Sequence, residues 1–331
     1  MTHPTSPNGE PLRRRVRARL LQGLARSAAV LPESLMRSGL GLLARLLVRG
    51  RYGEQTRANL RFIYGDKMNA TEVKTTARAV FAHNARLLAE WLRLANGAAP
   101  DSSSGAWIEQ RVRIDDSIIR LEEALAAGRG AIIVTAHIGN WELLAAALRR
   151  RGMRGRVIGF QRERDSSGDW LLRMRRAYGV ETLAQDTNAR EAMKVLRRGE
   201  ILGILCDLEA RRLDGRFLPF LGKQAFVMTA PAALARATRS PLFPISCMLE
   251  PKRAGQPQHY CLRVEGALEF DRTLPREEAT LNLLQNMNAV FEGWIRQYPE
   301  QWAWHQPRWR LQSDSGRTSE ADATPAPAER L

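Results

Sequence analysis

Residues 131–142 read AIIVTAHIGNWE. The run 131–136 is apolar and rich in β-branched residues, which predicts a buried β-strand. Residues 139–140 interrupt this pattern, and the segment that begins at Trp141 has the composition of a helix. The histidine of this stretch, His137, therefore falls at the carboxyl end of a strand, where open α/β sheets place their ligands.

Glu142 follows in the first turn of the predicted helix, and its carboxylate is expected to fold back toward the imidazole of His137. A carboxylate that orients a histidine makes it a better general base. The alternative is that His137 caps the helix and that Glu142 is merely a favourable first-turn acid. Spacing alone does not separate the two hypotheses, but the strand–turn–helix context favours the catalytic one.

The rest of the chain alternates between strand and helix patterns. Further strands are predicted over 156–160, 179–183, 201–206, 241–249 and 260–268. Helices are predicted between them, so the sequence indicates an α/β fold, a three-layer αβα core with a mostly parallel or mixed sheet, preceded by N-terminal helices. The predicted segments are a disordered start over 1–11, a helical membrane-associating region over 12–97, an α/β domain over 105–312 and a disordered tail over 313–331.

The 331 residues include 51 Lys and Arg against 35 Asp and Glu, a net charge of +16. Such a basic excess predicts an anionic partner: nucleic acid, anionic lipid or a phosphorylated substrate. Nucleic acid is disfavoured, because no zinc-finger or RNP1-like motif is present and the aromatic residues cluster with apolar ones. No apolar stretch approaches the roughly 18–20 residues of a spanning helix. The segments 20–31 and 40–48 instead resemble basic amphipathic helices on a membrane surface, with ordinary packing helices as the alternative.

Charged side chains follow two of the other predicted strands. Arg162 and Arg164 come after the second strand, and Asp207 follows the strand over 201–206. If these strands neighbour the first one, the two arginines could hold a phosphate or stabilise an oxyanion, and Asp207 could position a substrate hydroxyl or an arginine. The alternatives are a solvated charge cluster and a loop cap.

Two later segments mix aromatic and basic residues. The stretch 208–223 has few regular signals and combines cations, among them Arg216 and Lys223, with large apolar side chains, which suits a groove for an amphiphile. The alternative is an irregular surface loop. The stretch 299–310 holds three tryptophans, a histidine and two arginines, and predicts a membrane-interface belt or a substrate wall, with a packing role for at least one tryptophan. The three cysteines show no C-x-x-C spacing and the five histidines no ligand spacing, so no metal and no cofactor are expected.

These motifs together resemble the late acyltransferases of lipid A biosynthesis, the lauroyl/myristoyl transferase family of Gram-negative bacteria. The resemblance spans about 20–310 and rests on five segments in order: RANL at 57–60, HIGNWE at 137–142, the Arg162 segment with DWL at 169–171, Asp207 followed by FLPFLG at 217–222, and PEQWAW at 299–304.

The resemblance implies acyl transfer from acyl carrier protein, or acyl-CoA, to a hydroxyl of a lipid A precursor at the cytoplasmic side of the inner membrane. It also implies that His137 is the base and Glu142 its partner, with Arg162 and Asp207 in the active site. Another acceptor, such as a glycolipid, ornithine lipid or pigment precursor, and a non-enzymatic membrane scaffold remain alternatives. No G-x-S-x-G elbow is present, so direct attack of the hydroxyl is expected, with the oxyanion met by backbone N–H groups around Gly139 or by Arg162.

Overall fold

A computed structural model of the chain describes Gly23 and residues 31–97, 103–159, 166–184, 189–210, 213–255, 257–306 and 308–309. The predicted disordered ends over 1–11 and 313–331 lie outside these residues, as does nearly all of the amphipathic helix predicted over 20–31.

The described part of the N-terminal region is helical. Its helices are α1 (Glu33–Leu47), α2 (Arg51–Tyr64), α3 (Ala70–Gly97) and α4 (Ser103–Arg111). Helix α1 packs on α3 through Met36, Leu40 and Ala44, which are spaced four residues apart and so share one face.

A seven-stranded sheet forms the centre of the α/β domain. The chain's strands are β1 (Val112–Ile114), β2 (Ala131–Thr135), β3 (Gly155–Gly159), β4 (Glu181–Ala184), β5 (Ile201–Leu205), β6 (Gly215–Phe220), β7 (Lys223–Met228), β8 (Leu242–Leu249) and β9 (Tyr260–Val264). The sheet order is β1-β9-β8-β2-β5-β3-β4, and every neighbouring pair is parallel except β8 with β9.

Helices alternate with these strands and pack against the sheet and one another. They are α5 (Ile119–Ala126), α6 (Trp141–Arg150), α7 (Ser166–Ala177), α8 (Ala189–Arg197), α9 (Ala230–Thr238) and α10 (Arg276–Gln297). The predicted α/β class with its mostly parallel sheet is confirmed.

Strand β2 lies near the middle of the sheet, between β5 and β8, and all five of its residues are buried. That burial explains its uninterrupted apolar sequence, because a central parallel strand is covered on both faces. After β2 the chain forms β3 and β4 on one side of it and returns to β5, the neighbour of β2 on that side. It then crosses to β8, the neighbour of β2 on the other side. The carboxyl ends of β2 and β5 therefore flank the point where the strand order reverses, which is where such sheets bind ligands.

The irregular surface loop that was the alternative interpretation of 208–223 is wrong for the second half of this stretch. Strands β6 and β7 form a separate antiparallel hairpin. Leu221 and Gly222 at its turn have φ of 52° and 77°, as a two-residue hairpin turn with matching twist requires. The alternation that marks a strand is weak here because Pro219 and three large apolar residues follow one another, so the local pattern did not reveal the pairing.

Candidate active site

The register of two neighbouring strands brings His137 and Asp207 together. Strands β2 and β5 are parallel, with Thr135 opposite Leu205. The pairing continues past both strand ends, because the backbone N–H of Cys206 donates to the carbonyl oxygen of Thr135. Two residues beyond each strand, His137 and Asp207 face each other at the carboxyl edge of the sheet.

The two side chains form a hydrogen-bonded pair. Nδ1 of His137 lies 2.7 Å from Oδ1 of Asp207, and the backbone N–H of His137 donates to Oδ2 at 2.9 Å. The indole N–H of Trp302 donates to the same Oδ2 at 2.8 Å. Asp207 is fully buried at its side chain, whereas that of His137 is 27% exposed. With Nδ1 held by the carboxylate, Nε2 is the imidazole nitrogen left for a substrate.

Asp207 is held in its ionised form. Burial by itself raises the pKa of this carboxyl, but the charge of His137 and the hydrogen bonds from His137 and Trp302 outweigh burial, and the pKa lies below its usual value. Asp207 was predicted to position a substrate hydroxyl or an arginine. In the structure, Asp207 instead orients the imidazole of His137.

Glu142 does not contact the imidazole, so the predicted Glu142–His137 contact is wrong. Its buried carboxylate is bound by the guanidinium of Arg175, at 2.6 Å from Nη2 to Oε1 and 3.0 Å from Nε to Oε2. The hydroxyl of Tyr178 donates to Oε2 at 2.5 Å. Burial, and then the charge of Glu142, raise the pKa of Tyr178 well above its usual value, so the phenol keeps its proton. Glu142 thus ties the first turn of α6 to α7.

The turn between β2 and α6 is fixed by its own backbone. Gly139 has φ of +62°, and a Cβ there would lie 2.2 Å from the carbonyl oxygen of Cys247. The N–H of Gly139 donates to the carbonyl oxygen of Gln301, and that of Asn140 to the carbonyl oxygen of Cys247. These two N–H groups are therefore occupied and cannot meet the oxyanion, and a role for the other amides around Gly139 stays a prediction.

Side chains of α3 hold this turn in place through hydrogen bonds. His83 Nε2 lies 3.2 Å from the carbonyl oxygen of Gly139. The side chain of Asn140, the N-cap of α6, donates to Oε2 of Glu90 at 2.8 Å and accepts from the indole of Trp91 at 3.0 Å. Tyr260 donates to the same Glu90 oxygen at 2.7 Å.

Burial dominates the titration of both polar residues on this face of α3. It lowers the pKa of His83 to about 4, and it raises the pKa of Glu90. Neither residue was among the predicted site residues. The available signal was their position: His83 and Glu90 are seven residues apart, two helical turns, on the apolar stripe of a long helix, where a polar side chain must be paired.

The ring of Trp141 packs against the imidazole of His137. The two rings meet edge-on, with centroids 5.1 Å apart. His305 is close enough for charge on His137 to act on it. Burial first, and then that charge, lower the pKa of His305 to about 4. The neutral ring of His305 packs against the rings of Tyr52 and Phe81.

The tryptophans of 299–310 are internal. Trp302, Trp304 and Trp309 are 1%, 0% and 8% exposed, so the predicted membrane-interface belt is wrong, and packing is their role. Trp302 also contacts Asp207 directly through its indole N–H, as described above.

The remaining predicted site residues lie apart from the pair or outside the described residues. Arg162 and Arg164 belong to the latter. Arg216 donates from Nε to Glu277 at 2.7 Å on the surface, and the ammonium of Lys223 lies 4.9 Å from the ring centroid of Phe62. Their roles in substrate binding stay predictions.

The family model of bacterial lipid A biosynthesis acyltransferases matches residues 12–311. The chain is similar to a phosphatidylinositol mannoside acyltransferase of Mycolicibacterium smegmatis, with 29% identity over 287 residues, which are 86% of this chain and 88% of the relative. It is also similar to a phosphatidylinositol mannoside acyltransferase of Mycobacterium tuberculosis, with 25% identity over 294 residues, which are 88% of this chain and 87% of the relative.

Proposed function

This chain belongs to the bacterial lipid A biosynthesis acyltransferase family, and we propose that it moves a fatty acyl chain from a thioester to a hydroxyl of a phosphorylated glycolipid. It is an acyltransferase that acts on a lipid acceptor. The donor class, the acceptor and the location at the membrane are the parts that we propose.

The observation that supports this chemistry best is the His137–Asp207 pair. Nδ1 carries the proton shared with the carboxylate, so Nε2 has a free lone pair and accepts the proton of the acceptor hydroxyl. The hydroxyl oxygen attacks the thioester carbonyl carbon, and the tetrahedral intermediate then expels the thiolate. The imidazolium returns its proton to the thiolate, which leaves as a thiol. Asp207 stabilises the imidazolium throughout.

A covalent acyl-enzyme is not part of this mechanism. Cys206 and Cys247 are buried, and burial raises the pKa of both thiols well above the usual value, which disfavours the thiolate that a nucleophile needs. The oxyanion requires a donor other than the amides of Gly139 and Asn140, and the candidates are the other amides of this turn and Arg162. One such donor contributes about 10²–10³ in rate.

We propose a lipid A precursor as the acceptor, with a mannosylated phosphatidylinositol as the second candidate. The family model supports the first, and the names of the two mycobacterial relatives support the second. Both acceptors are phosphorylated glycolipids, which fits the basic excess of the chain. Acyl carrier protein is the proposed donor and acyl-CoA the alternative, because both present the same thioester.

The proposed location is the cytoplasmic face of the inner membrane. Helix α1 exposes five leucines, with Leu35, Leu42, Leu43, Leu46 and Leu47 at 61%, 61%, 46%, 57% and 47% exposure. An exposed apolar stripe flanked by arginines suits binding in the plane of a membrane surface. Among the described helices, none has both the length and the apolar character needed to cross a bilayer.

The test combines each donor with each acceptor. The purified protein is incubated with acyl carrier protein or coenzyme A thioesters and with either glycolipid, and the products are identified by mass spectrometry. We expect one acceptor to gain a single acyl chain, and His137→Ala to abolish this gain while the melting temperature is kept. Transfer by His137→Ala at the normal rate would refute the mechanism, and acylation of neither glycolipid would refute the acceptor class.

A further inference from the structure

A large basic cleft lies in the helical region, and neither His137 nor Asp207 lines it. Its volume is about 1670 Å³, and α1, α2 and α3 supply most of its wall. The described residues that line it include eight basic side chains and two acidic ones, Glu250 and Glu300. His83 and Gln301, which both contact the backbone of Gly139, also line it. The cleft is thus distinct from the His137 site but adjoins its supporting loop.

Most of the cations in this cleft have no acidic partner. Arg45, Arg49, Arg61, Lys74 and Arg78 are exposed and make no ion pair within the described part of the chain. Like charges that converge on one cleft repel one another, and they lose this repulsion when an anion binds.

The other three basic residues are only weakly neutralised. Arg37 lies 3.7 Å from Glu33, Arg57 donates to the carbonyl oxygen of Val48, and Arg86 donates to the side chain of Gln258. The cleft therefore keeps a strong positive field, which selects an anionic ligand.

The position of α1 indicates where that anion comes from. One face of α1 is buried against α3, as described above. A second face places Arg45 in the cleft, which Arg49 also lines just beyond the end of α1, and a third face exposes Leu35 and Leu46. The exposed Leu42 lies at the border between these two faces and also lines the cleft. A bilayer that contacts the leucines would meet the basic wall of the cleft at the level of its headgroups, because arginine lies well at that boundary.

We propose that this cleft binds the phosphate of an anionic glycerophospholipid headgroup at the bilayer surface, separately from the acyl-transfer site. The guanidinium groups of Arg45, Arg49 and Arg78 suit bidentate recognition of phosphate oxygens. Binding here does not require turnover, so it can be tested without the acyl-transfer reaction.

The experiment compares two triple variants with the same net charge. Arg45→Gln/Arg49→Gln/Arg78→Gln removes cleft cations. Arg129→Gln/Arg198→Gln/Arg276→Gln removes three exposed arginines that do not line the cleft.

Each is sedimented with phosphatidylcholine vesicles that contain phosphatidylinositol. The cleft variant is expected to bind about 100-fold more weakly, since a basic residue near an anionic surface contributes about fivefold. The control variant is expected to lose less than about tenfold.

Two further measurements separate the alternatives. Soluble glycerophosphoinositol should compete with the vesicles for the parent protein but have no effect on binding of the cleft variant. Coenzyme A, a soluble phosphorylated compound, should bind the parent protein and the cleft variant equally. The melting temperature of the cleft variant should equal or exceed that of the parent, because like-charge repulsion is relieved. Equal losses in the two triple variants would overturn the proposal, as would loss of coenzyme A binding with vesicle binding retained.

Discussion

Replacing Asp207 by asparagine tests the central pair with almost no change of shape. Oδ2 of Asp207 accepts two hydrogen bonds, from the backbone N–H of His137 at 2.9 Å and from the indole of Trp302 at 2.8 Å. An amide oxygen can accept both, whereas an amide NH₂ group can accept neither. The asparagine is therefore expected to place its oxygen at the Oδ2 position and its NH₂ at the Oδ1 position.

That orientation of the amide reverses the tautomer of the His137 imidazole. Oδ1 lies 2.7 Å from Nδ1 of His137, so the NH₂ group would donate to Nδ1 and move the ring proton to Nε2. A protonated Nε2 cannot accept the proton of the acceptor hydroxyl. The same exchange in a hydrolase triad lowers kcat by about 10⁴-fold, which is about 5.5 kcal/mol of barrier. We expect a loss of that size for Asp207→Asn, with the substrate KM and the melting temperature close to those of the parent.

Two measurements check this expectation. Single-turnover kinetics with the thioester donor give the rate of the chemical step, and selective ¹⁵N labelling of histidine reports which nitrogen of His137 is protonated. Glu142→Gln is the control, because Glu142 does not touch the ring. A kcat for Asp207→Asn within about tenfold of the parent, or a tautomer change in Glu142→Gln instead, would refute the reasoning.

The other predictions concern the parts that hold the pair in place. Glu142→Gln leaves the buried guanidinium of Arg175 without its counter-charge, so the free energy of unfolding should fall by about 3–5 kcal/mol; the double variant Glu142→Leu/Arg175→Met should recover most of it in denaturant titrations, and no recovery would contradict the ion-pair account. His83 has its folded-state pKa lowered from 6.5 to about 4, so the unfolded chain binds a proton first as pH falls. His83 should contribute about 2 kcal/mol of the stability lost between about pH 7.5 and pH 5, in addition to the loss from His305, whose pKa is also lowered to about 4, and His83→Gln should remove only the His83 part; an unchanged pH dependence in that variant would show that His83 does not contribute. Gly139→Ala combines a positive φ with a backbone clash and should cost more than about 4 kcal/mol or prevent folding, whereas Gly293→Ala, with open space at its Cβ, should not; equal melting temperatures would count against the turn geometry.

The sequence predicted the elements that depend on local pattern. The strand before His137 and the helix after it were predicted because β-branched residues form one apolar run, which residues 139–140 interrupt before a helical composition begins. The hairpin of β6 and β7 and the short strand β1 were not predicted, because neither shows a strong alternation. Asp207 was placed at the correct edge of the sheet, but its partner was not identified.

The missing information was non-local. Seventy residues separate His137 from Asp207, and only the pairing of β2 with β5 brings them together. A spacing of five residues made Glu142 the natural candidate, since residues close in sequence are close in space. Whether a first-turn carboxylate points toward the preceding loop or into the helix layer depends on what packs there. Glu142 points into the helix layer because Arg175 on α7 and Tyr178 just after α7 bind its carboxylate. Arg175 lies 33 residues from Glu142 along the chain.

Asp207 and Glu142 therefore share the role that was predicted for Glu142 alone. Asp207 supplies the charge beside the imidazole, and its position follows from the parallel register, in which a one-residue slip would turn the side chain to the other face of the sheet. Glu142 supplies no charge to the ring, but its ion pair fixes α6, whose N-cap Asn140 is bound in turn by Glu90 and Trp91 of α3. Because a catalytic group must be held within about 0.5 Å of its productive position, a carboxylate that only anchors the helix is as necessary to the reaction as the one that touches the histidine. Substitution of either should lower activity, and only the tautomer of His137 distinguishes their roles.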